Sequence, residues 1–137
     1  MSQLSDYLES QLVIHMFKGT AYTAPGTVYI ACGTANPGEA GAASTWEVAS
    51  SIGYTRQAIV ANTGWGTESG GTVSNASLLN FGTATSNWGT VTHLAIMHGS
   101  TIAAGTILFY GTVTTNRIVN SGDVFQVPAG SLSAWFA

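Results

Sequence analysis

Charge is what this sequence has least of. Only 7% of its 137 residues are charged, against about 25% in an ordinary soluble domain. The permanent cations are Lys18, Arg56 and Arg117, and the net charge is −3. Nucleic acid binding needs clustered Lys and Arg, so these scattered residues argue against a nucleic-acid partner. A surface this poor in charge suggests either that partners cover it or that the protein lies on an extracellular or virion exterior.

Cysteine and long apolar runs are also scarce. The single Cys32 cannot form an internal disulfide, and we interpret it as a small buried hydrophobe of a protein made in a reducing compartment. No apolar run approaches the ~20 residues of a membrane span, so we expect no membrane partner. The N-terminal region carries Asp6 and Glu9 where a signal peptide would have basic residues, and we expect no signal peptide.

Motifs for chemistry are missing as well. The three histidines, His15, His93 and His98, lack the local pairing that a zinc site needs, and neither His-x-His nor Cys-x-x-Cys occurs. The sequence has no Gly-x-Ser-x-Gly nucleophile elbow and no phosphate-binding glycine loop followed by Lys. We therefore expect no metal, no cofactor and no enzymatic activity.

The few carboxylates do not suggest a catalytic pair. Glu39 and Glu68 lie in glycine-rich segments that would not hold the rigid separation glycoside hydrolysis requires. Asp123 follows Ser121 and Gly122, a pattern typical of a turn in which the carboxylate caps nearby N–H groups.

The sequence is rich in short β-branched and aromatic runs between glycines. The most continuous is Gly105-Thr-Ile-Leu-Phe-Tyr-Gly-Thr-Val-Thr-Thr, and such runs are typical of buried strands. Turn-forming residues separate the runs at short intervals, as in antiparallel sandwiches and barrels. We predict a mainly β fold, an antiparallel β-sandwich or barrel of about seven to nine short strands with one N-terminal α-helix.

The helix is predicted from Ser2 to Lys18, with Ser2 or Ser5 as its cap and Gly19 as its stop. We divide the chain into an N-terminal amphipathic helix at residues 1–19 and a single β domain at residues 20–137.

The apolar stripe of this helix has two interpretations. Leu4, Leu8 and Leu12 recur at every fourth position, with Tyr7 beside them. The helix is either an arm that docks on a partner or an element packed on its own sheet. Its terminal position slightly favours the arm, so these residues are candidate partner contacts. On this hypothesis, removing residues 1–18 leaves the sheet folded but abolishes partner binding.

Trp65 is the fifth candidate contact. It lies between glycines in the polar segment 62–71 and could be an interface anchor, a carbohydrate platform or a plug over a sheet edge. Aromatic residues concentrate at interfaces.

A set of segments in fixed order connects the chain to a known family. The segments are Ser5-Asp-Tyr-Leu-Glu, Tyr22-Thr-Ala-Pro-Gly-Thr-Val-Tyr-Ile-Ala, Gly53-Tyr-Thr-Arg-Gln-Ala, Trp88-Gly-Thr-Val-Thr-His-Leu-Ala-Ile, Leu108-Phe-Tyr-Gly and Val119-Asn-Ser-Gly-Asp-Val-Phe-Gln-Val-Pro-Ala-Gly-Ser-Leu. Together they resemble the small virion proteins of tailed bacteriophages and cyanophages. Such proteins are often called tail fibre proteins, and some related ones are capsid cement (decoration) proteins.

This resemblance covers almost the whole chain and implies a structural role without catalytic residues. Our leading hypothesis is a capsid cement protein, made in the host cytoplasm and then bound on the capsid exterior. There it would bind the major capsid protein as a homo-oligomer and stabilise contacts between capsomers. The alternative is a tail fibre or baseplate component that contacts a host cell-surface glycan through Trp65, Trp46 or Tyr54. A carbohydrate-binding module unrelated to a virion is the third possibility.

Overall fold

The computed structural model describes residue 1 and residues 3–136. One α-helix and nine strands are present in this part of the chain, which confirms the predicted fold class. In chain order they are β1 (Gln3–Leu4), α1 (Asp6–Lys18), β2 (Thr27–Gly33), β3 (Gln57–Val60), β4 (Thr72–Ser74), β5 (Leu79–Thr83), β6 (Gly89–His98), β7 (Thr106–Val119), β8 (Val124–Val127) and β9 (Ser133–Trp135). Short 3₁₀ turns lie at Ala43–Thr45 and Ser50–Ile52.

The strands form one large sheet and two small ones, all antiparallel. The large sheet has the order β1-β7-β6-β2-β3, and the small sheets pair β4 with β9 and β5 with β8. Strands β1 and β3 are the two edges of the large sheet and do not pair with each other. Within the described residues the sheet is therefore open, and of the two predicted forms the sandwich is the one observed.

One face of the large sheet packs against the small sheets. Ile30 and Cys32 of β2 share this face, because successive side chains of a strand alternate. The main core cluster joins side chains of the large sheet to side chains of the small sheets, namely Ile30, Cys32, Leu94, Ile96 and Leu108 with Leu79, Phe81, Phe125, Val127 and Ala134. This cluster is the hydrophobic core of the sandwich.

The opposite face of the sheet is covered by a loop. Ala31, Ala95 and Met97 pack there against Trp46, in a second buried cluster. A Cβ atom at Gly33 would lie only 2.6 Å from Cε3 of Trp46, so glycine is required for the indole to lie this close to β2. The large sheet is thus buried on both faces around β2 and β6.

Helix α1 begins later than predicted. Ser5 is its N-cap, with its side-chain oxygen accepting a hydrogen bond from the backbone N–H of Leu8 at 3.2 Å. Gly19 ends the helix in the left-handed conformation. The cap at Ser5 and the stop at Gly19 are confirmed. The predicted start at Ser2 is wrong, since Gln3–Leu4 is a strand paired with β7; Ser2 itself lies outside the described residues.

The N-terminal segment packs against its own domain. Leu8 is only 5% exposed and belongs to the main core, while Leu4 and Leu12 pack against that core. Ser5 is buried and its hydroxyl donates to the backbone oxygen of Ile107. The structure therefore argues against the expectation that residues 1–18 can be removed without loss of the sheet.

Candidate interaction surfaces

The five predicted contact residues do not form one surface. Leu8 is buried in the core and is not available to a partner, and Leu4 and Leu12 are half-buried beside it. Tyr7 is exposed, and Trp65 is half-buried on the small-sheet side of the core. Of the predicted stripe on α1, Tyr7 alone remains largely accessible.

A second stripe on α1 is the exposed one. Val13, Met16 and Phe17 are 54%, 72% and 79% exposed. Their spacing of three and four residues places them on one face of the helix, and we call this surface the helix ridge. Sequence reasoning missed it, although the same spacing was visible once Leu4, Leu8 and Leu12 had been assigned to the other face.

A concave surface lies between the large sheet and the C-terminal strand. We call it the aromatic hollow; its volume is about 400 Å³. It is lined by Val28, Trp65, Glu68, Gly71, Val73, Ile96, Leu108, Phe109, Ala134, Trp135 and Phe136. The rings of Phe109 and Phe136 meet edge to face with centroids 5.5 Å apart. Glu68 is the single charged side chain in this lining, so the hollow suits an apolar group better than a polar ligand.

Asn75 holds the Trp65 side of this hollow to the C-terminal segment. Its side-chain nitrogen donates to the backbone oxygens of Ser77 and Pro128, and its side-chain oxygen accepts from the N–H of Leu132. Asn75 also forms an isolated antiparallel bridge with Trp65. Because Asn75 is buried and its side-chain bonds are satisfied, the backbone at Trp65 is held in place although glycines flank it.

A second concave surface, which we call the polar groove, lies beside an irregularity in β7. Residues 113–116 of β7 lie opposite the single residue Thr92 of β6, a bulge that bends the strand. The groove has a volume of about 450 Å³ and is lined by Met1, Leu94, Thr112, Val113, Thr114, Thr115, Arg117, Phe125, Gln126, Val127, Pro128, Ser131, Leu132, Ser133 and Trp135. Its polar groups include the hydroxyl groups of threonines and serines, the amide of Gln126, the guanidinium of Arg117 and the amino group of Met1, and no carboxylate is among these lining residues.

A buried ion pair lies away from both surfaces. Glu47 accepts two hydrogen bonds from Arg56, from Nε and Nη2, each at 2.7 Å, and one from the Tyr54 hydroxyl at 2.8 Å. The backbone N–H of Ala103 donates a fourth bond to Glu47 at 2.8 Å. Every carboxylate oxygen is thereby paired, which is the condition for a buried charge to be tolerated.

Arg56 extends this network to a distant loop. Its Nη1 and Nη2 atoms donate to the backbone oxygens of Gly99 and Ala104 at 2.7 and 2.8 Å. The network therefore fastens the loop between β6 and β7 to the segment that precedes β3. Sequence reasoning counted Arg56 only as a scattered cation and missed this role.

Burial changes the proton affinity of the groups beside the pair. Loss of water raises the pKa of the Cys32 thiol well above its usual value, and the nearby Glu47 carboxylate adds to this shift. Burial also raises the pKa of Tyr54, with further contributions from Cys32 and Glu47. Both groups therefore remain protonated in the folded protein at neutral pH, and Cys32 is confirmed as a buried hydrophobe.

Two of the proposed host contacts prove to be internal. Trp46 and Tyr54 are 2% and 1% exposed, because one covers the sheet and the other joins the buried network. Their assignment as glycan contacts is wrong. Trp65 is half-buried and keeps an accessible edge in the aromatic hollow.

Two of the three histidines form hydrogen bonds outside the buried network around Glu47. His15 accepts a hydrogen bond from the backbone N–H of Tyr22, and His93 is bonded to the Thr92 hydroxyl. Among the described residues, no three His, Cys, Asp or Glu side chains cluster as metal ligands.

The turn predicted at Asp123 is confirmed, since its carboxylate accepts from the N–H of Asn120 at 2.9 Å. Across residue 1 and residues 3–136, no helix is long and apolar enough to span a membrane.

The fold and these surfaces define a small β-rich protein with an apolar ridge, an aromatic hollow and a polar groove. A family model described as Podophage GP4 fiber I protein gp80 matches residues 3–134. The chain therefore belongs to this family of phage structural proteins, and the resemblance to small phage virion proteins is confirmed. No curated protein matches the chain.

Proposed function

We propose that this protein is a fibre subunit of a podophage virion, in agreement with the alternative drawn from the sequence and in preference to capsid cement. The observation that carries the proposal is the match of residues 3–134 to a family described as a podophage fibre protein. That description favours the fibre over the head as the location.

The surface of the molecule supports a role in an assembly. Exposed apolar patches mark contact surfaces, and here the helix ridge exposes Met16 and Phe17 almost fully. With only 7% charged residues, little electrostatic repulsion opposes close packing with neighbours. In the assembled virion, neighbouring proteins would cover these surfaces.

Immunogold electron microscopy of intact particles tests the location. Antibody fragments raised against the purified protein should label the fibres and leave the head bare. Fragments preabsorbed with the purified protein provide the control for specific labelling. Gold spread over the capsid surface would contradict the fibre proposal and would support the cement hypothesis, with the major capsid protein as partner.

A second candidate function is contact with a host cell-surface glycan, and the polar groove is the observation that favours it. Sugars are bound through many hydroxyl contacts together with an aromatic face, and the groove offers Thr114, Thr115, Gln126 and the half-exposed Trp135. Arg117 lies in the same lining with no carboxylate among its neighbours there, so an acidic sugar suits the groove better than a neutral one.

Calorimetric titration with purified host polysaccharide tests this function. Wild-type protein should bind, and Arg117→Gln should weaken binding at least tenfold, because a guanidinium–carboxylate pair is charge-assisted. Leu78→Ala, an exposed position outside the groove, is the matched control and should bind as wild type does. Equal affinity of the wild type and Arg117→Gln would remove the groove as a glycan site.

A further inference from the structure

The helix ridge and the aromatic hollow are complementary surfaces on one chain. The ridge is convex and apolar, and the hollow is concave and lined by apolar side chains. We propose that the aromatic hollow of one copy receives Met16 and Phe17 of a second copy, so that copies associate head to tail. This proposal deepens the proposed function, because it names a second copy of this chain as the partner within the fibre.

The apolar character of both surfaces is the first argument. Phe17 is 79% exposed and Met16 is 72% exposed, and exposure of two large side chains at the end of a helix is unfavourable in water. The hollow has a volume of about 400 Å³, within the range of pockets that enclose small ligands. It therefore has room for both side chains.

The ridge does not fill the hollow of its own chain. As far as the chain is described, the residues lining the hollow come from β2, β4, β6, β7, β9 and the segments beside β4 and β9, and none comes from α1. The exposure of Phe17 likewise shows that its ring is free of intramolecular cover. Occupation of the hollow by a ridge requires another copy.

Charge complementarity is the second, separate argument. Lys18 directly follows Phe17 and is the only lysine of the chain, and Glu68 is the only charged residue lining the hollow. Glu68 is held in place because its carboxylate accepts a hydrogen bond from the N–H of Gly71 at 2.6 Å. When Phe17 enters the hollow, Lys18 reaches the one carboxylate there.

This contact has a defined symmetry. The ridge and the hollow are different surfaces, so the contact is heterologous and each copy keeps one free ridge or one free hollow. Repetition of such a contact gives a closed ring or an open filament. Both products contain copies joined in the same direction.

Light scattering after size-exclusion chromatography tests the proposal with three purified variants. Phe17→Asp removes the ridge, Phe136→Asp places a carboxylate in the hollow, and Leu78→Asp changes a comparably exposed side chain outside both surfaces. Circular dichroism checks that each variant is folded. We expect oligomers for the wild type and Leu78→Asp, and monomers for Phe17→Asp and Phe136→Asp.

The mixture of the two monomeric variants is the decisive sample. It retains one intact hollow, on Phe17→Asp, and one intact ridge, on Phe136→Asp, and should form a one-to-one dimer that grows no further. A mixture that stays monomeric, or a wild type that is monomeric at every concentration, would overturn the proposal. Neither result affects labelling of fibres on the particle, so failure of this inference is distinguishable from failure of the fibre function.

Reversal of the two charges tests whether Lys18 of one copy lies beside Glu68 of the next. Lys18→Glu should weaken association about twofold to fivefold, the range of an exposed ion pair. Adding Glu68→Lys to the same chain should restore association, because each contact then pairs opposite charges again, with the carboxylate on the ridge and the ammonium in the hollow. Failure of the double variant to recover would contradict the placement of Lys18 beside Glu68.

Discussion

The region around Glu47 and the region around Phe17 reverse the usual distribution of polar and apolar groups. Glu47 and Arg56, the one ion pair found in the described residues, are completely buried. Phe17, by contrast, is the most exposed large hydrophobic side chain among the described residues. Charged side chains are rarely buried unless paired, and large exposed apolar groups cluster mainly where another surface binds.

The two regions have different roles: the buried charged pair fixes a loop, and the exposed apolar ridge is available for association. The buried pair makes hydrogen bonds to Gly99, Ala103 and Ala104, so it specifies one conformation of the loop between β6 and β7. Apolar alternatives at Glu47 and Arg56 would pack without selecting that loop conformation. The exposed ridge contributes little to the fold and is available for association.

The largest expected effect comes from breaking the buried pair. Glu47→Gln leaves the Arg56 guanidinium buried without a counter-charge, and we expect the free energy of unfolding to fall by about 3–5 kcal/mol. Urea denaturation followed by circular dichroism measures it. As a control, the double variant Glu47→Gln/Arg56→Met removes both charges and should recover part of the loss. A loss below about 1 kcal/mol in the single variant would show that the pair behaves as an exposed one.

The next effect compares the two faces of α1. Leu8→Ala removes a side chain from the core and should lower the free energy of unfolding by about 2–5 kcal/mol. Phe17→Ala should change it by no more than about 0.5 kcal/mol, because the ring is exposed. The same denaturation experiment measures both, at a protein concentration low enough to keep the chain monomeric. Equal losses would contradict the assignment of the buried and exposed faces.

The last effect is absent at neutral pH and appears only at alkaline pH. In the unfolded chain the thiol and phenol titrate near pKa values of about 8.5 and 10, whereas burial raises the pKa values of Cys32 and Tyr54 in the folded protein. The unfolded state then binds fewer protons than the folded state. The contribution of these two groups to the free energy of unfolding is therefore constant below about pH 8 and falls above it, by up to about 1.4 kcal/mol per pH unit for each group.

Urea denaturation between about pH 7 and pH 11 follows this loss. Cys32→Ala should remove the fall in the free energy of unfolding that begins at about pH 8. Tyr54→Phe should remove the additional fall that begins near the ordinary pKa of tyrosine. If both variants lose stability with rising pH as steeply as the wild type does, exposed side chains control the stability at alkaline pH. That result would contradict the role assigned to the buried Cys32 and Tyr54.

Local features of the fold were largely predictable. The turn at Asp123, the cap at Ser5 and the stop at Gly19 each depend on hydrogen bonds or backbone angles within a few residues, and the sequence indicates them correctly. The start of α1 was not predicted correctly, since residues that could continue a helix pair with β7.

The candidate surfaces were less predictable. Trp65 was singled out as a candidate contact and is half-buried in the structure, but the aromatic hollow around it joins segments from both halves of the chain. Leu8 was assigned to an interface and Tyr54 to a host contact, but both side chains face the core. Whether such a side chain faces the core or the solvent depends on the orientation of its helix or segment. That orientation follows from packing between distant segments, which periodicity within one segment does not reveal.

By itself the sequence determined the β-rich class, the terminal helix, the scarcity of charge and the likeness to small phage virion proteins, because propensity, composition and ordered motifs are local or additive properties. Only the tertiary structure decided that Glu47 and Arg56 meet inside the protein and that Met16 and Phe17 face outward. Both outcomes depend on long-range contacts, in which segments far apart in the chain compete for the same core. One pair of the scarce charged residues was thereby placed in the interior, and two large apolar side chains were left on the surface.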